Sequence, residues 1–369
     1  MIADRMKQID ASGIRRVFDL AGGMQDPVNL SIGQPDFPVP DKLKQAARQA
    51  INSDCNSYTP TQGTAPLLAL ISAQIEKEYR REAEGLMITS GVSGGILLVF
   101  NVLLNPGDEI IIPDPYFVMY KHIARLLGAV PVYLDTYPDF SIDPGRLEKL
   151  ITPRTKAIII NSPANPTGKI YTQTEINHIT ELARKQGLFI ISDEIYQYFN
   201  YTSVKELPSP FCKYEKTVLL NGFSKSHSLT GWRLGYAAGP APVINEMKKL
   251  QQYTFVCAPA PFQQAALHLY DKEIMDYIRE QLENYKQKND IIYNGLKDKF
   301  DITPSDGAFY SFVRVPGTDA DTFVKKAIAN NLLIIPGNVF SEKNTHFRIS
   351  FAVSDDTLRQ GVKILNALV

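Results

Sequence analysis

Through most of its length the chain alternates short apolar runs with amphipathic stretches. Seven apolar runs read as strands: Leu86–Thr89, Glu109–Ile112, Val130–Leu134, Lys156–Ile160, Leu188–Ser192, Thr217–Leu220 and Leu234–Ala238. Helical patterns lie between them at Ser93–Leu104 and Gln173–Lys185, the latter carrying Ile176, Ile179, Leu182 and Ala183 on one face. Short strands spaced by helices indicate βαβ units around a mostly parallel sheet buried on both faces. In such sheets, sites gather where the carboxyl ends of strands meet loops. From about Gln263 to Phe300 the chain reads as one long helix, rich in Glu, Lys and Gln with periodic Ile, Leu and Tyr. Strands at Ala308–Val313, Leu332–Ile335 and Phe347–Phe351 and a last helix from Ser354 then mark a smaller α+β domain. The Pro-rich segment Gln34–Pro40 is expected to pack with it, so that the small domain draws on both chain ends. The expected division is residues 1–40 as an N-terminal arm and part of the small domain, 41–270 as the large domain, and 271–369 as the small C-terminal domain.

Bulk properties narrow the function. A chain of 369 residues exceeds the usual size of a single core, which agrees with two domains. Lys+Arg and Asp+Glu balance at 39 each, so no net field gathers nucleic acid or an anionic membrane. Met1–Arg16 carries charges throughout and lacks the apolar stretch of a signal peptide. Gly95–Leu104 and Lys156–Ile160, among the most apolar segments, are too short to span a bilayer. Cys55, Cys212 and Cys257 are far apart and form no CxxC pair, so neither a zinc site nor a disulfide framework is indicated, as in a reducing cytoplasm. The expectation is a cytoplasmic protein for small molecules, without a metal.

Several strand ends carry polar motifs. Asn221–Arg233 follows the run Thr217–Leu220 and places Lys225 in a loop among small and hydroxyl residues, with Arg233 eight residues on. A lysine in a low dielectric or beside a cation offers a free amine at neutral pH, and an imine is the usual way to hold the aldehyde of pyridoxal phosphate (PLP). Arg233 suits a phosphate; alone, the stretch also reads as a polar turn. Asp193 ends the buried run Ile190–Ser192, where a carboxylate meets a cation or caps the next helix. Tyr196 follows it, either as a partner for a cofactor's phenolic oxygen or as a buried aromatic. In Asn161–Gly168 two prolines and a glycine fix a turn that presents Asn165. Thr89–Gly95 opens a helix with free amides at Val92 and Ser93, a generic anion cradle that is neither a Walker motif nor a full GxGxxG. Phe117, in Pro113–Tyr120, is able to stack on a flat ring or belong to the core. Arg348 sits inside the apolar strand Phe347–Phe351, where it demands either a substrate carboxylate or an internal acid.

Together these motifs resemble the class I/II aminotransferases of PLP fold type I, the aspartate aminotransferase superfamily. The likeness runs nearly end to end and includes Ser31–Phe37, Ser57–Gly63, Asn161–Gly168, Ser192–Tyr196, Ser224-Lys225 with Thr230–Arg233, Gly307–Tyr310, Pro336-Gly337 and Phe347–Ser350. It implies a large domain with a mostly parallel seven-stranded sheet between helices, PLP as cofactor, and ping-pong transamination between an L-amino acid and a 2-oxo acid. By the resemblance Lys225 is the Schiff-base lysine and proton shuttle, and Asp193 pairs with the pyridine nitrogen. Asn165 and Tyr196 bond the phenolic oxygen, and Phe117 stacks on the ring. Val92, Ser93, Ser224 and Arg233 hold the phosphate. Tyr58 reaches the phosphate of a neighbouring subunit, which implies a homodimer with shared sites. Gly33 and Arg348, with Asn165, position the substrate carboxylate.

Two departures stand out. Many members carry a hydroxyl residue three before the lysine, where this chain has Gly222. Some aspartate-specific relatives have a lysine where it has Ser93. The opening Ser12–Asp19 looks closest to the branch of broad and aromatic-amino-acid aminotransferases, so an aromatic donor is expected. His227 and Trp232 are read as structural. The competing readings are a PLP-dependent C–S β-lyase or other PLP enzyme on the same scaffold and, further off, a PLP-binding regulatory module of the kind fused to a DNA-binding domain.

Overall fold

A computed structural model describes residues 2–11, 13 and 24–369. Apart from Gly13, the Ser12–Asp19 stretch lies outside the described residues. After a short strand β1 (Val28–Asn29), the chain builds the seven strands that the apolar runs predict. They are β2 (Gly85–Ser90), β3 (Glu109–Asp114), β4 (Val130–Asp135), β5 (Thr155–Asn161), β6 (Phe189–Asp193), β7 (Thr217–Gly222) and β8 (Leu234–Gly239). They form one sheet in the order β2-β8-β7-β6-β5-β3-β4, parallel from β7 to β4, with β8 antiparallel to both neighbours. Alternate side chains feed separate cores. Ile110 and Ile112 join one hydrophobic cluster and Ile111 another, and Ile159 and Ile158 divide the same way. That alternation buries both faces of the sheet, which explains why the strands read as continuous apolar runs.

The helix Gln173–Gln186 begins with a capping box: Thr172 Oγ1 accepts from the Glu175 amide, and Glu175 reaches back to the Thr172 amide. Gly187, in the left-handed region at φ 69°, ends it. The segment from Gln263 differs from the single helix expected. A helix ends at Ala265, a 3-10 turn covers Ala266–His268, and the long helix runs only over Lys272–Leu296. The chain turns at Leu269–Asp271, where the His268 ring bonds the Asp271 carboxylate at 2.9 Å. The apolar periodicity continues across the break, so the pattern alone hides it.

The C-terminal part carries a small antiparallel sheet of β11 (Ile335–Pro336), β12 (His346–Ser350) and β9 (Tyr310–Arg314). The single run Leu332–Ile335 splits between two sheets, because β10 (Leu332–Leu333) pairs instead with β1. The N-terminal segment is tied to this part. Tyr285 Oη donates to Asp36 at 2.7 Å, Lys288 pairs with the same carboxylate, and Tyr277 Oη donates to the Pro38 carbonyl at 3.1 Å. These bonds set Gly33 and Ser31 over the carboxyl edge of the large sheet. None of the helices among the described residues is long and apolar enough to cross a membrane.

Candidate active site

The carboxyl ends of β5, β6 and β7 open onto a cavity of about 270 Å³. Gly33, Val92, Ser93, Phe117, Asn165, Asp193, Tyr196, Ser224, Lys225, Arg233 and Arg348 all line it. Of the residues singled out from sequence, Tyr58 does not: it is 85% exposed on the outer surface.

Lys225 is half-buried in the cavity wall, and its Nζ donates to the Gly33 carbonyl at 2.7 Å. Burial pushes its pKa down to about 8, the Arg348 and Arg233 guanidiniums push the same way, and Asp193 partly opposes them. Asp193 ends β6, buried, with Oδ2 accepting from Tyr120 Oη at 2.6 Å and Oδ1 from the Ile195 amide at 3.2 Å. It closes a turn and caps no helix, since 3-10 and α segments are absent directly after β6. Burial raises its pKa to about 6, the mark of a carboxylate that needs a cation facing it. Asn161 joins the two neighbouring strand ends. Its Nδ2 donates to the Asp193 carbonyl at 2.9 Å, and its Oδ1 accepts from the Asn165 amide at 2.8 Å.

The phosphate-type cradle lies at the helix Gly91–Leu103. Ser90 gives this helix no side-chain cap, so its first amides are left for an outside acceptor. Gly91 has φ 67°, and a Cβ there would lie 2.6 Å from Arg233 Nη2. Arg233 itself takes φ 57°, and its Nη1 and Nη2 donate to the carbonyls of Thr230 and Ser90 at 2.9 and 3.3 Å. Gly222 has its own steric reason: a Cβ would meet the Gly235 Cα and the Leu234 carbonyl at 2.9 Å. The close β7–β8 approach leaves no room for a hydroxyl side chain, and Ser224 and Arg233 are the polar groups that remain nearby.

On the opposite wall, Arg348 projects from β12. Its Nη1 donates to Asn165 Oδ1 at 3.1 Å and its Nη2 to the Ser31 carbonyl at 2.7 Å, while Nε is buried without a partner. The internal acid left open from sequence is absent among the described residues, so a buried guanidinium faces the cavity without an anion. Five lining groups were not singled out from sequence: Ile96, Asn161, Ile195, Thr230 and Tyr310. Tyr120, behind Asp193, is another. Asn161 and Tyr310 stand inside motifs already noted, and Tyr120 sits one helical turn beyond Phe117 with the rings 5.6 Å apart. Spacing from Phe117 was the available signal for it.

A family model described as "Aminotransferase class I and II" matches residues 25–365, and the chain belongs to that family. It is a PLP-dependent aminotransferase, an enzyme of the fold-type-I class. It is 36% identical to a probable aspartate aminotransferase of Methanocaldococcus jannaschii, with all of both chains covered. It is 33% identical to aromatic-amino-acid aminotransferase 2 of Thermococcus litoralis, over 98% of this chain and 96% of that one. Among solved structures, an aspartate aminotransferase from Thermus thermophilus with maleate superposes with a TM-score of 0.95 at 29% identity, covering 100% of both chains.

Proposed function

We propose that the cavity holds PLP in one orientation and takes a large neutral L-amino acid, aromatic or of broad range, as donor to a 2-oxo acid. The observation that supports this is the set of three lining cations, Lys225, Arg233 and Arg348, each assigned in this reading to a different part of cofactor and substrate. Among the described lining residues no fourth cation is left for a second carboxylate. The other lining side chains include Ile96, Phe117, Ile195, Tyr196 and Tyr310. Such a wall favours an apolar or aromatic side chain.

When bound, PLP supplies an aldehyde for the lysine amine and a protonated pyridine ring that draws electrons from the donor's α-carbon. Lys225, its amine lowered to about 8, would hold the aldehyde near neutral pH, and its Nζ would carry the donor's α-proton. Asp193, desolvated and held by Tyr120 and Ile195, would keep the pyridine nitrogen protonated. Tyr196 and Asn165 would bond the phenolic oxygen, and Phe117 would stack on the ring. The Val92 and Ser93 amides, Ser224 and Arg233 would hold the phosphate. Arg348, oriented by Asn165 and Ser31, clamps the donor's carboxylate beside Gly33. The oxo acid formed leaves before the second oxo acid binds, a ping-pong order.

The working unit in this reading is a homodimer. The segment carrying Tyr58 is pinned, with Gln263 Nε2 donating to Thr59 Oγ1 at 2.9 Å and Gln251 Nε2 to the Thr61 carbonyl at 2.6 Å. A large exposed aromatic on a rigid backbone supports a place at a second copy's phosphate site. The cysteines, all free thiols, suit the cytoplasm. Single-turnover reactions of the PLP-loaded enzyme with individual amino acids test the donor. Phenylalanine and tyrosine should release their oxo acids faster than aspartate; a clear preference for aspartate would overturn the neutral-donor reading.

A further inference from the structure

We infer that Tyr310 is a positioning residue for two steps at once: its hydroxyl directs the proton of Tyr196, and its ring seats the guanidinium of Arg348. The inference rests on the site reading above, in which Tyr196 bonds the phenolic oxygen and Arg348 takes the donor carboxylate.

Tyr310 opens β9 and is buried. Its Oη lies 2.9 Å from Tyr196 Oη, with the two rings edge to face at 5.6 Å and 84°. The Tyr310 hydroxyl has no other hydrogen-bond partner among the described residues. The Tyr196 hydroxyl likewise has no other partner among the described residues, and either oxygen is able to donate. When Tyr196 gives its single proton to the phenolic oxygen of the site reading, the bond between the two tyrosines is left to the Tyr310 proton. Tyr310 acts as the donor behind the donor, and a chain of this kind strengthens the outer bond.

The same ring lies under Arg348. The guanidinium carbon stands 4.5 Å from the Tyr310 centroid and 4.6 Å from the Phe340 centroid. A planar cation packed on two ring faces is held in place, with N–H groups left for a carboxylate. The β9–β12 register fixes this: Phe312 pairs with Arg348 and Tyr310 with Ser350. Gly33 completes the arrangement. A Cβ there would lie 2.7 Å from Tyr310 Oη, so a glycine lets the segment rest on this hydroxyl while its carbonyl meets Lys225. One side chain thus touches the elements that hold the phenolic oxygen, the carboxylate and the lysine.

The test separates the two roles in the PLP-loaded enzyme by two readouts: the pH midpoint of the visible-absorption change of the bound cofactor, and KM for the donor. Hydrogen bonds to the phenolic oxygen favour its ionised form and weaken its hold on the proton shared with the Lys225 nitrogen, so losing one raises the midpoint. Tyr310→Phe should raise the midpoint by about half a unit and leave KM within about twofold. Tyr310→Leu should raise the midpoint equally and also raise KM roughly tenfold. Tyr196→Phe should give a larger midpoint shift, and adding Tyr310→Phe to it should change nothing further, because the hydroxyl works through Tyr196. A midpoint unmoved by Tyr310→Phe but moved by Tyr196→Phe overturns the inference and leaves the site reading standing. A midpoint that neither variant moves shows instead that the site reading beneath it fails.

Discussion

Glu194, the residue after Asp193, points away from the cavity into a closed polar cluster, and counting its protons gives a sharp prediction. Its Oε1 accepts from Ser192 Oγ at 2.7 Å and Ser209 Oγ at 2.6 Å, and Tyr79 Oη lies 2.9 Å from its Oε2. Tyr79 Oη is also 2.5 Å from Gln197 Oε1, and the Gln197 amide is oriented by its Nε2 donating to Glu78 at 2.9 Å. Tyr79 has one proton for two acceptors. A protonated Glu194 supplies the second, and burial raises its pKa from 4.5 to about 7, with the Asp193 charge pushing the same way. A folded pKa raised above the unfolded one gives stability that is complete below pH 4.5 and is lost as pH climbs to about 7. At 1.36 kcal/mol per unit this amounts to at most about 3 kcal/mol, an upper bound because the buried hydroxyls relax when the group ionises. Glu194→Gln keeps the shape and replaces the acid proton with an amide donor. Urea unfolding of both proteins at fixed PLP, in steps across that window, isolates the effect as the difference between them. The variant should gain on the wild type steadily from pH 4.5 to 7 and level off above. A difference that stays flat across the window would mean that Glu194 holds no proton and would refute the reasoning.

Other outcomes follow from the site. The rate at which PLP recombines with the cofactor-free protein should rise about tenfold per pH unit and level near pH 8, because only the unprotonated Lys225 amine attacks; a rise continuing past pH 10 would indicate an unperturbed lysine. Gly91→Ala forces a Cβ against Arg233 at a positive φ and should weaken PLP retention about tenfold or more, measured by equilibrium dialysis. Arg348→Lys keeps the charge but loses the fork, and should raise KM for the donor by roughly thirtyfold with the cofactor spectrum unchanged.

Much of this was legible in the chain because the central strands are buried on both faces. Runs such as Lys156–Ile160 need no partner to be recognised, and a carboxylate that ends such a run, as Asp193 does, stands out against apolar neighbours. The same logic failed where packing, and not local pattern, decides. The break at Leu269–Asp271 is invisible to periodicity because both flanking helices keep their apolar faces. Leu332–Ile335 looks like one strand because nothing local reveals that Leu332 pairs with Val28 and Ile335 with Arg348. Tyr120 and Tyr310 were not singled out within their motifs, since their roles depend on hydroxyls that meet residues far away in sequence. Gly222 looked like a lost phosphate ligand until the closeness of β7 and β8 gave it a steric reason.

The central claim is that Lys225 is the residue joined to PLP. Borohydride reduction of the PLP-loaded enzyme followed by peptide mass spectrometry tests it most directly. The account predicts a pyridoxyl group on the peptide bearing Lys225, and none in Lys225→Ala. A label on another lysine, or a wild type that binds PLP and yields no label, would contradict it.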